Sequence, residues 1–339
     1  MARSRRRRRR TRRTKVWAVV MPLAALLAAF CVLVSVQEIH GRDFGLPNFA
    51  IPSFAQIFGE VEFTPRERDL SGSSSSPLQS DYRLIVHQID VGQSEAILIQ
   101  GPEKTVLIDA GDRGRAGDLL RYLEEQGVRS IDLMIGTHPH ADHIGGMDAI
   151  INAMPVAEVM MPDIPLELTP TTATYTAVLT AILENDIPFT IAVPGEVYHL
   201  GGGATLTILG PITVYNNINN LSIICRVVFG ETSFLFTGDA ERAAEFDLVY
   251  AGIYLRSDVL SLGHHGSRTS STQIFLDAVA PSLALISCGL DNQHGHPHRE
   301  VLERLYDMGV RVLRTDLNGN IVLTSDGHTI AIETQRLAA

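Results

Sequence analysis

Residues 138–143 read His-Pro-His-Ala-Asp-His, three histidines and an aspartate within six positions. The spacing His138-x-His140-x-Asp142-His143 lets His138 and His140 reach one ion while Asp142 and His143 reach a neighbouring one. Imidazole nitrogens and a carboxylate oxygen suit zinc, manganese or iron. The apolar run 131–136 (Ile-Asp-Leu-Met-Ile-Gly) ahead of the motif reads as a buried strand, and Gly145-Gly146 follow it. The end of a strand is where an α/β protein places its chemistry. A His-rich surface loop is the plainer alternative.

The chain has 339 residues, enough for one large domain or two small ones, and its 45% hydrophobic content supports a core. The net charge of −10 hides an asymmetry. Residues 1–15 carry nine Arg, one Lys and no acid, which leaves 18 basic against 38 acidic residues in the remainder. Residues 16–36 form an uncharged apolar run of 21 residues, long enough to cross a bilayer as a helix. The arginine flank on its N-terminal side puts the N-terminus in the cytoplasm and the rest of the chain outside. A cleaved signal peptide is the competing reading. The absence of a small-x-small site near residues 34–37, and the bulky Phe30 before Cys31, favour an uncleaved signal anchor. A nucleic-acid-binding arm is a third reading of the arginine block, and its place directly before a span makes topology the simpler one.

The expected organisation is a basic cytoplasmic flank (1–15), a transmembrane signal anchor (16–37), a Pro/Gly/Ser-rich linker (38–81) and a hydrolase-like domain (82–339). The linker contains Pro47, Pro52, Pro65 and Pro77 and the run Ser-Gly-Ser-Ser-Ser-Ser at 71–76, composition that resists a packed core. From Tyr82 onward strands are expected at 83–91, 96–100, 105–109, 131–136, 157–161, 258–262, 283–288, 310–314, 319–324 and 328–333, with a strand-rich stretch over 188–237. Helices are expected at 114–126, 146–154, 171–184, 240–249, 272–279 and 298–308. Strands in excess, with helices in both halves, fit two packed sheets with helices outside, an α+β architecture. The three cysteines, Cys31, Cys225 and Cys288, make no disulfide framework. Small buried side chains are the expectation for them, and nothing requires a Cys225–Cys288 bridge.

Four further segments bear on the motif. Val106-Leu107-Ile108-Asp109 is a strand ending in an acid that can orient a ligand histidine from behind, or simply close a turn. Phe234-Leu235-Phe236-Thr237-Gly238-Asp239 ends the same way. Its carboxylate can bridge two cations or cap a helix. The strand before Gly263 ends in the pair His264-His265. The turn Asn292-Gln293-His294-Gly295-His296-Pro297-His298 can bind metal adventitiously or aim an imidazole, chiefly His296, at a substrate.

Taken together, His138-x-His140-x-Asp142-His143, Asp109 before it and Asp239 after it resemble the metallo-β-lactamase fold, an αββα sandwich with a two-metal site on one edge. More narrowly, Asp90-Val91-Gly92-Gln93, Thr237-Gly238-Asp239, Gly263-His264-His265-Gly266-Ser267 and residues 292–297 resemble the extracellular hydrolase domain of ComEC-type DNA-uptake proteins and their stand-alone relatives, over roughly residues 83–335. The resemblance implies one or two divalent cations, zinc or manganese. His138 and His140 would hold the first. Asp142 and His143 would hold the second, completed by one of His264 and His265, of which His264 is favoured because it falls first after the strand. Asp239 would bridge, Asp109 would sit behind the ligands, and catalysis would rest on Asp142, Asp239 and His296. It also implies attack of a metal-bridging hydroxide on a phosphodiester, with nucleic acid as substrate. Arg268, beside the His264-His265 turn, is a candidate phosphate contact, with a solvated surface arginine as the equal alternative.

The sequence departs from the branch pattern where Ser94-Glu95 replaces Gly-Asp, and in having one expected span instead of a multi-span channel. Where many superfamily members supply a further histidine to the first metal, Asn219, Asn220 and Ser222 stand as weak ligands, which points toward a loosely held or manganese first ion. The acidic balance beyond residue 15 runs against polyanion binding, which favours a basic surface. An envelope or small-molecule phosphodiester is therefore a rival substrate. A tethered binding or assembly component without activity is the non-enzyme alternative, and the presence of every metal residue the branch uses weighs against it.

Overall fold

In a computed structural model, described here for residues 82–337, the strands form two mixed sheets. The expected flank, membrane anchor and linker lie outside the described residues. Among those described, no helix is long and apolar enough to cross a membrane.

The first sheet contains β1 (Leu84–Gln88), β2 (Ile97–Gln100), β3 (Thr105–Ile108), β4 (Leu133–Ile135), β5 (Val159–Met161) and β6 (Phe189–Ile191), and at its far edge β14 (Ile321–Ser325) and β15 (Ile330–Thr334). The order is β15-β14-β1-β2-β3-β4-β5-β6. The second contains β7 (Val197–Gly201), β8 (Ala204–Gly210), β9 (Ile224–Phe229), β10 (Thr232–Phe236), β11 (Val259–Ser261), β12 (Leu283–Ile286) and β13 (Arg311–Arg314), in the order β13-β12-β11-β10-β9-β8-β7. In each sheet antiparallel hairpins give way to parallel strands, β3 to β6 in one and β10 to β13 in the other. Parallel neighbours need a crossover, and the helices supply most of them.

Three apolar layers hold this arrangement. Val86, Ile99, Val106 and Ile135 of the first sheet face Leu206, Val227, Phe234 and Phe236 of the second, all essentially without solvent contact. On the outer side of the first sheet, Leu98, Leu107 and Met134 meet Leu119 and Leu123 of α1 (Ala116–Glu125), Met147 and Ile150 of α3 (Met147–Ala153) and Val178 of α4 (Ala173–Glu184). On the outer side of the second, Leu235, Leu260 and Ala284 meet Leu248 of α5 (Arg242–Tyr250), Phe275 of α6 (Gln273–Val279) and Val301 and Leu305 of α7 (Arg299–Asp307). Central strands such as β2 are therefore apolar on both faces, as strands covered on both sides must be. Each large side chain removed from water contributes roughly 1.5–3 kcal/mol. The αββα sandwich expected from the element order is the observed one.

Two short helices went unforeseen, α2 (Ala141–Ile144) and α8 (Thr315–Asn318). One turn is too short to display a 3.6-residue period. Cys225 and Cys288 are free and buried, so no bridge joins them.

His87 shows how a helix is fastened to the sheet. Tyr122 of α1 lies 2.9 Å from His87 Nδ1, and Gln100 Oε1 lies 3.0 Å from Nε2. Gln100 Nε2 donates to Gln126 O, so Oε1 is the acceptor and the proton of the neutral ring sits on Nε2. Burial depresses the His87 pKa from 6.5 to about 4, against the opposing hydrogen bond to Gln100. The folded ring thus binds fewer protons than the unfolded one between those values. Its contribution to stability is complete above pH 6.5 and is lost as pH falls through 4. Replacing His87→Leu should flatten the decline in unfolding free energy between pH 7 and pH 4 by up to ~3 kcal/mol, read from urea titrations at several pH values. Identical declines in the two proteins would show that His87 accepts its proton without penalty.

Candidate metal centre

The two sheets bring the C-terminal ends of their parallel strands to one rim. Asp109 follows β3, His138 follows β4, Asp239 follows β10, the His264-His265 pair follows β11 and Ser287 follows β12. Of the motif histidines, His138 precedes α2, His140 is its N-cap and His143 lies within it.

Close backbone approach makes this possible. A Cβ at Gly146 would lie 2.3 Å from the Ala110 carbonyl oxygen, so only glycine lets the end of the motif meet the loop after β3. Gly238 has φ +49°, and a Cβ there would fall 2.9 Å from Thr137, which keeps the loop before Asp239 against the strand end that carries His138.

Asp109 is completely buried. Its Oδ1 accepts the Thr137 N–H at 2.8 Å, and its Oδ2 accepts the Thr137 hydroxyl at 2.7 Å and the His143 Nδ1–H at 2.7 Å. With its own hydrogen committed to Asp109, the Thr137 hydroxyl accepts from His138 Nδ1 at 3.2 Å. His265 Nδ1 donates to the Ser287 carbonyl at 2.9 Å. In all three rings the proton is thereby on Nδ1, and Nε2 keeps a lone pair for a cation. His140 turns the other way, its Nδ1 2.9 Å from His138 Nε2.

The donor atoms fall into two groups, each with its ligand atoms mutually within 4.8 Å: His138, His140 and Asp239, and Asp142, His143 and His265. Asp239 stands between them. Its Oδ1 is 3.2 Å from His143 Nε2 and 3.6 Å from His265 Nε2. Its Oδ2 is 3.6 Å from His138 Nε2. Asp142 Oδ2 is 3.4 Å from His265 Nε2 and 3.8 Å from His143 Nε2. A third group, Glu95, Asp109 and His143, lies within the same limit, but there His143 Nδ1 carries a hydrogen that it donates to Asp109.

A divalent cation fits this donor set. His143 Nε2, His265 Nε2 and Asp239 Oδ1 are buried and without a hydrogen-bond partner, and such groups are costly unless something compensates them. Burial alone would raise the Asp239 pKa, but the His143 and His265 imidazoles hold it well below the carboxylate range. For His143, burial acts downward and is overcome by the Asp239 and Asp109 carboxylates, which drive its pKa well above the ordinary value. The pocket thus demands positive charge where a cation would sit.

The expected residues sort as follows. His265, not His264, joins Asp142 and His143, because His265 is buried with Nδ1 tied to Ser287 while His264 is 23% exposed. Asp109 lies behind the cluster, on the Nδ1 side of His143. The segment 219–222 does not ligate through all its members. Asn220 Oδ1 accepts the N–H groups of Glu241 and Ala244 and so caps α5. Ser222 Oγ accepts the Asp239 N–H at 3.0 Å and lies 3.3 Å from His138 Nδ1. Asn219 Nδ2 donates to Glu241. Arg268 keeps an exposed guanidinium 3.9 Å from Glu300.

His296 sits at the mouth, with its ring centroid 5.6 Å from that of His264 and 6.3 Å from that of His265. Gln93 Oε1 accepts the Gly289 N–H at 2.9 Å, so its Nε2 is the amide group facing His296 Nδ1 at 3.4 Å. An amide N–H can only donate, so Nδ1 accepts and the proton of His296 lies on Nε2. Burial and the adjacent histidines, His265 first, lower its pKa to about 4 and keep the ring neutral. His298 Nδ1 accepts the Arg268 N–H at 3.2 Å and has the same tautomer. Among the candidates, His294 is exposed and lies near Gln293.

Five residues escaped the sequence reading of the site. Thr137 and Ser287 follow strands without a motif of their own, Gln93 lay inside a motif segment without a role, and Glu241 falls just beyond the segment that ends at Asp239. Glu95 was visible only as a departure, an acid two residues ahead of the apolar strand β2. It is buried, its pKa is raised to about 7 chiefly by burial, and Ser261 Oγ donates to its Oε1 at 3.2 Å. Its backbone N–H donates to the Asp142 carbonyl at 3.1 Å, which pins the second ligand group from below.

A family model described as the metallo-beta-lactamase superfamily matches residues 89–289. ComE operon protein 3 of Bacillus subtilis (strain 168) is 28% identical over 258 residues, 70% of this chain and 32% of that protein. Recombination protein 2 of Haemophilus influenzae is 34% identical over 242 residues, 70% of this chain and 28% of that protein. Competence protein ComA of Neisseria gonorrhoeae is 32% identical over 234 residues, 68% of this chain and 30% of that protein. These relatives are ComEC-type competence proteins, and the chain spans less than a third of the length of each.

Asp109→Asn keeps the size of the side chain but removes the charge that holds the His143 proton. It should weaken binding of one divalent cation by about 10–100-fold, measured by competition with a chromogenic chelator. Unchanged affinity would mean that Asp109 serves packing alone.

Proposed function

The chain belongs to the metallo-β-lactamase superfamily as a metal-dependent hydrolase, and from that premise we propose that it is a membrane-anchored, extracytoplasmic phosphodiesterase acting on DNA. The observation that carries the reading is the Asp239 carboxylate between two groups of donor atoms. Paired divalent cations activate water and stabilise both the attacking and the leaving oxygen of an in-line displacement, a division of labour suited to phosphorus.

In this reading His138, His140 and Asp239 would hold one cation, and Asp142, His143 and His265 with Asp239 the other. Asp109, Thr137 and Ser287 fix the ligand tautomers. His296, kept by Gln93 as a neutral Nε2–H donor, gives a hydrogen bond to a phosphoryl oxygen as charge develops there. Zinc and manganese both suit the mixed nitrogen and oxygen set.

DNA is favoured by the competence and recombination proteins among the relatives. The acidic balance of the chain beyond residue 15 supports a smaller envelope phosphodiester as the second reading. Residues 16–36 and the arginine flank support anchorage with the N-terminus in the cytoplasm.

The test is turnover of bis(p-nitrophenyl) phosphate and single-stranded DNA by the full chain, with manganese or zinc and after metal removal. Both substrates should be cleaved only with metal. His138→Ala and Asp239→Ala should each lower kcat by about a thousandfold or more, and His296→Phe by roughly a hundredfold. Cleavage of the small ester alone would replace DNA with a small diester. A folded, metal-loaded protein that cleaves neither would overturn the phosphodiesterase reading.

A further inference from the structure

Asp239 Oδ2 faces a second imidazole as well as His138. His264 Nε2 lies 3.6 Å from it, the same distance that separates Oδ2 from His138 Nε2 and Oδ1 from His265 Nε2. We propose that His264 is the fourth ligand of the cation held by His138, His140 and Asp239, so that the two adjacent histidines serve one cation each. This rests on reading the cluster as a two-cation centre and is independent of what that centre hydrolyses.

The hydrogen bonds of His264 give it the form of a ligand. Its Nδ1 lies 3.2 Å from Glu241 Oε1 and 3.1 Å from Thr269 Oγ1. The Thr269 hydroxyl gives its hydrogen to Glu241 Oε1, so it accepts from His264, and the proton is on Nδ1 and the lone pair on Nε2. A lone pair that faces a carboxylate oxygen across 3.6 Å is repulsive unless a positive charge lies between. His143 with Asp109, and His265 with the Ser287 carbonyl, have the same construction: an outer acceptor on Nδ1, and Nε2 toward Asp239. The rim histidines His296 and His298 have the opposite one.

Glu241 is itself held in place for this purpose. It accepts from Asn219 Nδ2 at 3.2 Å, from Asn217 Nδ2 at 3.1 Å and from the Thr269 hydroxyl at 3.0 Å. Asn219 therefore acts on the first cation at one remove, by steadying the carboxylate that orients His264.

Backbone strain marks the same residue. His264 and His265 have φ +53° and +55°, the left-handed region that side chains with a Cβ avoid. Such strain persists where the surroundings over-determine it. The His264 N–H is tied to the Gly238 carbonyl at 3.0 Å, so the turn is locked to the loop that carries Asp239. A glycine would relax position 264 at no cost to the position of His265. A histidine there gains its use from where its ring points.

The experiment compares the wild-type full chain with His264→Gly and Glu241→Gln, each stripped of metal and reloaded with manganese. Stoichiometry and affinity come from chelator competition, and the pairing of the ions from the exchange-coupled manganese resonance. Wild type should bind two coupled ions. His264→Gly should retain one at unchanged affinity and bind the second about a hundredfold or more weakly, with the coupled signal replaced by that of isolated manganese. Glu241→Gln should weaken the same ion by roughly tenfold. Without metal, His264→Gly should melt about 2–4 °C above wild type, because strain has been released. Two coupled ions at wild-type affinity in His264→Gly would overturn the assignment and leave His264 as a group facing the substrate. No binding by wild type would overturn the two-cation reading itself, and the assignment with it.

Discussion

The molecule is organised around a carboxylate that it buries. Asp239 lies at the rim between two sheets with almost no solvent contact, and an ionised group in that position is stable only if positive charge or strong donors surround it. Both of its oxygens face imidazole nitrogens, and one of those oxygens has no hydrogen bond. No single strand could surround a carboxylate in this way. Ligands must arrive from both sheets, and parallel strands packed face to face, with their C-terminal ends at one rim, deliver them.

The outer partners of the histidines matter as much as the histidines. Asp109 and Thr137 come from the first sheet, and Ser287 and Glu241 from the second. Asp109, Thr137 and Ser287 each accept the N–H of one imidazole, and Glu241 fixes a fourth ring through Thr269, so that these partners decide which nitrogen is left bare. At the rim the logic is reversed. Gln93 and the Arg268 backbone donate to His296 and His298, which leaves these two rings with an N–H to offer. The same residue type is therefore divided by its neighbours into rings with a bare Nε2 turned toward Asp239 and rings with an N–H to offer. The proposed hydrolysis needs both kinds, one beneath the phosphate and one beside it.

This arrangement also bears on the acidic composition. An acidic surface repels a polyanion at long range, but screening confines that repulsion to about 8–10 Å at moderate salt. Within that distance the field would be set by two divalent cations and the histidine rim. A strand or small diester that reaches the rim meets positive charge, whatever the mean charge of the domain.

Much of this was readable along the chain. The run His138 to His143 declares its metal chemistry because its ligands are contiguous. The apolar strands ending in Asp109, in Asp239 and before Gly263 declare a sheet edge, because strand length and apolar runs are local properties. The αββα order follows from the alternation of such strands with helices. Glu95, Gln93 and Glu241 were not readable as site residues, since each acts through partners between 22 and 203 positions away. The choice between His264 and His265 was beyond the sequence as well, because two neighbours in a chain differ only in where the backbone turns. By itself, then, the sequence determined the donor atoms and the strands that carry them. The tertiary structure decided which atoms share a cation, which nitrogen of each ring is bare and which acids stand behind them, because those depend on distances across two sheets that no local pattern encodes.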